Sequence, residues 1–236
     1  FTTYNNDPSP PSRYLRIAAL LEQSEKMTAD DFARAQVDTV LPHWPEVRAE
    51  VLAAVCRATY VGEALQAQQA LCSWDGDLGP DSVGASVFML LQNALLDATL
   101  ADELPGGATG EIWDYVQSVP LIETLVDWQW KRSADDPVWD DVRTEGRETR
   151  DQTIATAFSA AVRTGVARWG AGAREWRWGD VRPFEIRHPL GGASAVLAAL
   201  LNSERFPGRG APETVFKNQF VRRDREHMHP GYGPVF

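Results

Sequence analysis

TRDQTIATAFSAAVRTGVAR, residues 149–168, decides the fold class of this chain. Ile154, Ala157, Phe158, Ala161, Val162 and Val166 recur every three to four residues, which marks one buried face of a helix. Upstream, SADDP at 133–137 is a break, and two shorter helices are expected near 111–118 and 120–132. Their Trp113, Tyr115, Trp128 and Trp130 form aromatic stripes, which are core features because each ring buries a large area. Before the PGG stop at 105–107, Val83–Leu104 reads as a strongly apolar helix with Val87, Phe88, Leu91, Leu95 and Ala98 inward and Asp81 as its cap.

Further towards the N-terminus the periodicity of Val47, Val51, Val55, Ala58 and Leu65 continues until Trp74-Asp75-Gly76, with Gly62 weakening it locally. Pro42 and Pro45 break the chain around Trp44, and Pro45 suits the first residue of a helix. Thr28 reads as an N-cap with Asp31 three residues on, and Phe32, Ala35 and Val37 as a narrow buried face. A first helix is expected over 13–24, with Leu15, Ile17, Ala18, Leu20 and Leu21 on one face. After Gly170 the character changes: FEIRHPLGG reads as extended, Ala193–Leu201 is small and apolar, and ETVFKNQFV has strand-like Val215, Phe216 and Phe220. The chain is therefore expected to be mainly α with short β segments in its tail. Three regions follow: 1–27, a helical 28–170, and a Trp/Gly-rich 171–236.

Length and composition set limits. With 236 residues, 44% apolar and 24% charged, the chain can bury a sizeable core. A net charge of −10 argues against a nucleic-acid backbone as partner, which calls for a basic surface. No apolar run is expected to reach the length of a bilayer span. Cys56 and Cys72 are expected to be a buried pair of free thiols, too few for a disulfide framework. His43, His188, His227 and His229 show no zinc-ligand spacing. Phe1 is not expected to be the natural start of the gene product, and HPGYGPVF does not read as an ending. The chain is expected to be an internal piece of a longer polypeptide.

If the chain has a chemical role, it is expected in the stretch FTTYNNDPSPPSRYLRI, residues 1–17. An Asn amide can donate to a developing oxyanion, and Asn-Asp-Pro is also an ordinary turn. From the residues alone both readings stand. Arg13 and Arg16 open the helix that follows, and two helix-surface arginines are the plainer reading of them.

TTYNNDP, RYLRIAALL, FARAQVD, LCSWDG, WRWGDV, HPLGG, FPGRGAPETV and GYGPVF follow one another in an order that resembles the penicillin amidase (penicillin acylase) family of N-terminal-nucleophile hydrolases, in the middle-to-late part of the β subunit. The resemblance implies that the chain is part of an αββα architecture. It implies an acyl-enzyme mechanism, in which a serine at the mature β-subunit N-terminus attacks a linear amide with its own α-amino group as base. Asn5 then corresponds to the oxyanion donor, with Asn6 as its one-residue alternate. Arg13 corresponds to the arginine that organises the oxyanion side, with Arg16 as its companion. No cofactor is implied, but some members hold a structural calcium. Asp7 is the one carboxylate offered in the connection where a calcium ligand lies, and only seven residues separate Asn5 from Arg13. The FPGRGAPETV stretch has GAPE where a GD-like step is expected.

Thr2 and Thr3 lack a free α-amino terminus, so the nucleophile is expected upstream and this piece alone is expected to be inactive. Implied partners are the α subunit, the remainder of the β subunit and a small-molecule amide: a penicillin or cephalosporin side chain, or an N-acyl-homoserine lactone. The implied compartment is periplasmic or extracellular. The contrasting readings are a non-catalytic, all-helical interaction module, whose WDG and WGD are helix-end turns, and a family member that has lost activity.

Overall fold

The computed structural model describes residues 11–107, 112, 121–184 and 188–218, with the backbone alone at 121–124. The helices are α1 (Ser12–Leu21), α2 (Ala29–Gln36), α3 (Trp44–Val51), α4 (Gly62–Cys72), α5 (Val83–Leu100), α6 (Leu121–Trp130), α7 (Arg150–Trp169), the single-turn α8 (Trp178–Val181) and α9 (Ala195–Leu201). A π-helical turn, Leu52–Cys56, extends α3. Among the described residues β structure is limited to three isolated bridges, Val40 to Asp77, Phe184 to Phe206 and Ala211 to Lys217. The chain is thus mostly helical, as its periodicity requires. The strand expected at 215–220 reduces, within the described residues, to the Lys217 bridge, and Phe220 lies outside them.

α5 and α7 make the most extensive contact and form the centre of the body. α7 begins as its sequence dictates: the Thr149 hydroxyl accepts from the Gln152 amide, and the Gln152 side chain accepts from the Thr149 amide at 2.9 Å. This reciprocal box satisfies two amides that the first turn leaves unpaired. Gly170, at φ 85°, ends it. α5 is apolar on nearly every side and is buried accordingly, from Gly84 through Gln92 and again at Leu95, Leu96 and Thr99. Its cap is Ser82, whose hydroxyl accepts from Ala85 at 3.2 Å, rather than the expected Asp81. The helix stops at Leu100, four residues short of the expected end.

Contrary to the expectation of no long apolar run, α5 has the length and composition of a bilayer span, with 18 residues at mean hydropathy 1.4. Within the fold 67% of that run is buried, the burial of a core helix.

Against α5 lies an aromatic cluster. Trp44 and Trp74 meet at 4.6 Å between centroids, and each lies 5.1 Å from Phe88. Gly84 permits this approach, because a Cβ there would stand 2.5 Å from the Trp74 Cβ. Trp128 and Trp130 pack against the same core, in keeping with the structural reading of those rings. Trp113 and Tyr115 lie outside the described residues.

Three further expectations are corrected. Cys56 and Cys72 form a disulfide, with Cα atoms 5.9 Å apart, in the normal range for such a bond. It ties the π-helical turn to the end of α4. Gln68 makes a second tie, donating to the Val55 and Ala58 carbonyls, both at 2.8 Å. The periodicity from Val47 to Leu65 also conceals a break. The chain leaves the helix after Cys56, and Gly62 opens α4 rather than weakening a continuous helix. Finally, α2 buries nothing within the described residues: Phe32 is 49% and Val37 48% exposed. The Thr28 cap is present as expected and forms a reciprocal box, with Asp31 N donating to the Thr28 hydroxyl at 3.2 Å and Thr28 N to the Asp31 carboxylate at 2.8 Å.

Candidate functional site

α1 presents the two arginines by simple helical spacing. Arg13 and Arg16 are three residues apart, hence on neighbouring positions of one face. Nothing in α1 is buried, so polar contacts, more than packing, hold it on the body. Arg16 forms a two-point ion pair with Asp38, Nε to Oδ1 at 3.0 Å and Nη2 to Oδ2 at 2.6 Å. Charge-assisted pairs of this forked geometry are the strong class of hydrogen bond. Hydrogen bonding to Asp38, with the carboxylate's charge behind it, raises the Arg16 pKa further above its ordinary value, against a smaller opposing effect of burial. Arg13 donates from Nε and Nη2 to one acceptor, the Val215 carbonyl, at 3.3 and 3.2 Å.

Those contacts join motifs that are remote in sequence. Asp38 closes FARAQVD and Val215 closes FPGRGAPETV, so the RYLRI stretch bridges the two. The Asp38 carbonyl also accepts from Phe216 N at 2.9 Å. Beside it, Leu41 N donates to Gly76 O at 2.8 Å and Leu78 N to Thr39 O at 3.0 Å. This brings the WDG turn against the end of FARAQVD, and the Thr39 hydroxyl donates to the Asp77 carboxylate. Gly76 sits at φ 95° with Trp44 beneath it, where a Cβ would lie 2.5 Å from Cδ1. Glycine is thereby required at this turn on two counts.

From the same turn, Leu78 O accepts from Gly210 N at 2.9 Å, and Gly210 O accepts from the Trp178 indole at 3.1 Å. Trp178 N and Gly179 N donate to Ser82 O and Pro80 O, at 3.0 and 2.7 Å. WGD therefore opens α8 against the loop after WDG. Five of the quoted motifs are in this way linked through one hydrogen-bonded seam. HPLGG is not among them: it forms the 3-10 turn Pro189–Ala193, which packs on α9. GYGPVF and TTYNNDP lie outside the described residues, and so do Asn5, Asn6 and Asp7.

The candidate residues thus divide. Arg13 and Arg16 are brought to the seam. The sequence reading missed Asp38 and the Val215 carbonyl, although both belong to motifs quoted for the resemblance, and an acidic partner for two unpaired arginines was a signal available there. A cleft of about 320 Å³ opens beside them, lined by Arg13, Ile17, Leu20, Phe32, Val215 and Lys217 among others. Across α1 a second of about 290 Å³ includes Leu15, Arg16, Leu41 and His43. Among the described residues no three His, Cys, Asp or Glu side chains are grouped to hold a metal ion.

The chain matches the penicillin amidase family over residues 1–236. It is similar to the penicillin acylase 2 proenzyme of Pseudomonas sp. (strain SE83), 26% identical over 232 residues, which are 91% of this chain and 26% of that protein. It is also similar to acyl-homoserine lactone acylases QuiP. That of Pseudomonas fluorescens is 27% identical over 130 residues, 55% of this chain and 16% of the relative. That of Pseudomonas putida is 30% identical over 128 residues, 52% of this chain and 16% of the relative. The chain therefore spans between a sixth and a quarter of the length of these relatives. With the match running from its first residue to its last, this chain belongs to the penicillin amidase family.

Proposed function

We propose that the full-length protein is an amidohydrolase that cleaves a linear amide through an acyl-enzyme, and that residues 5–16 supply the oxyanion side of its site. The observation that carries this reading is the seam itself. Arg13 reaches Val215 across 202 residues of sequence, and so joins two motifs of the family at the helix that follows the Asn pair. In the proposal Asn5 donates to the tetrahedral oxyanion, with Asn6 as the alternate. Arg13 keeps that side of the site cationic, and Arg16 holds the helix. The nucleophilic serine and most of the acyl pocket belong to the α subunit and the remainder of the β subunit, within an αββα architecture.

Two amide classes are suggested by the names of the relatives, a penicillin and an acyl-homoserine lactone, and the side chain of a cephalosporin belongs with the first. The large apolar side chains left exposed on α1, α2 and α9, among them Leu15 at 57%, Phe32 at 49% and Leu200 at 73%, support a body completed by further polypeptide. A periplasmic or extracellular location is supported by the disulfide, because such bonds persist in oxidising compartments.

The test is release of free amine from each substrate class by the full-length protein, wild type and Asn5→Ala. Loss of an oxyanion donor lowers kcat by about 100- to 1000-fold, and Asn6→Ala is expected to have a far smaller effect. Wild-type turnover by Asn5→Ala would sink the donor assignment. Failure of the wild type on both classes would sink the hydrolase reading. Residues 1–236 alone are expected to release nothing.

A further inference from the structure

α1 is held in an unusual way for a helix at a functional site. It contributes no buried residue, and clefts of about 320 and 290 Å³ flank it. Shape complementarity therefore does little to fix where its first turn lies. Its side-chain ties to the body are the Arg13 contact with Val215 and the forked Arg16 contact with Asp38. Both run through one place, because the Asp38 backbone carbonyl accepts from Phe216 N, the neighbour of Val215, at 2.9 Å. Asp38 thus grips α1 with its side chain and the tail with its main chain. The Arg16–Asp38 pair is partly withdrawn from water, with side-chain exposures of 25% and 12%, so salt weakens it less than a fully exposed ion pair.

We propose that Asp38 is the positioning residue of this site: by fixing Arg16 on one side and Phe216 on the other, it sets the distance between the first turn of α1 and the tail, and so the placement of Arg13. Asp38 touches no substrate in this scheme. It rests on the reading of α1 as the oxyanion-side helix, and adds to it a residue for which that reading has no role. Asp38→Asn removes the carboxylate's charge and one of the two acceptors of the fork, which lets α1 shift in its clefts. Misplacement of a catalytic group by about 1 Å lowers rate by about a hundredfold.

The test is made on the full-length protein with Asp38→Asn, Arg16→Lys and the exchanged pair Arg16→Asp with Asp38→Arg. Two quantities are read: hydrogen exchange of the α1 amides, and kcat against KM for amide release. Asp38→Asn is expected to accelerate exchange throughout Ser12–Leu21, and to lower kcat about 10- to 100-fold with KM within about twofold, the pattern of a lost transition-state arrangement. The exchanged pair is expected to restore part of both.

Unchanged exchange in α1 would overturn the proposal, since Asp38 would then not hold the helix. Faster exchange with unchanged kcat would overturn it equally, leaving Asp38 a structural residue only. Should Asp38→Asn fail to accumulate, Arg16→Lys, which keeps the charge but loses the fork, is read in the same way. If the wild type releases no amine, the hydrolase reading fails by itself. Exchange in α1 then still decides whether Asp38 sets the helix position.

Discussion

Breaking the Cys56–Cys72 bond should cost the protein about 3 kcal/mol, the loop-closure value for a link between residues 16 apart. The loss comes mainly from the unfolded chain, which regains the freedom of that loop. In the folded state the same two elements stay joined by Gln68, whose amide reaches Val55 O and Ala58 O. Replacing both cysteines by alanine should therefore leave the native fluorescence of the buried Trp44, Trp74, Trp176 and Trp178 unaltered while lowering the urea midpoint. With a urea dependence of about 1–3 kcal/mol per molar, a 3 kcal/mol loss moves the midpoint by roughly 1–3 M. Reductant should produce the same shift in the wild type and none in the double variant.

Two results would refute the reasoning. One is an unchanged midpoint in a protein whose intact mass confirms the bond. The other is uptake of two equivalents of a thiol reagent by the denatured, unreduced protein, which would mean that the bond does not form. Adding Gln68→Ala to the double cysteine variant should then perturb the native state itself, because both ties are gone. Near neighbours of this kind are not additive.

Gly84→Ala should destabilise despite alanine's better helix propensity. The new Cβ falls 2.5 Å from Trp74 Cβ and 2.6 Å from Cγ, and overpacking of this kind costs about 1–3 kcal/mol; the urea curve measures it. The Asp31 carboxyl is held below its ordinary value of 3.8, first by the Thr28 hydroxyl and then by the Thr28 amide. The sign follows: the box stabilises α2 fully above pH 3.8 and fades as the pH falls through the lower, folded-state value. In an NMR titration Thr28→Ala should return Asp31 towards 3.8, and an unmoved titration would break the assignment.

What the sequence disclosed, it disclosed through local chemistry. The Thr28 cap, the inward face of α7 and the WDG turn are each written within three to thirteen consecutive residues, so no tertiary knowledge is needed to read them. Most of the corrections involve distance. Cys72 finds Cys56 only because the chain breaks at 57–61 and α4 returns beside the π-helical turn, which a smooth periodicity from Val47 to Leu65 hides. α2 shows Phe32 and Val37 to solvent because burial depends on what covers a face, which an apolar residue cannot announce alone. Ser82 displaced Asp81 by a single position, a matter of which side chain the last extended residue carries. The family order of motifs was legible, and so was the place of Arg13 at the head of a helix. Its acceptor was not, because a main-chain carbonyl carries no sequence signature.

The span of the Arg13 contact also sets a clock. During synthesis, at roughly 5–20 residues per second, Asp38 follows Arg16 by 22 residues, so α1 gains its first tether within about 1–4 s of being made. Val215 follows Arg13 by 202 residues, a wait of about 10–40 s at the same pace. For that interval the helix carrying the candidate arginine hangs from the Arg16–Asp38 ion pair. The last tether to close is the one that places Arg13, so a ribosome paused anywhere before Val215 leaves that arginine without its acceptor.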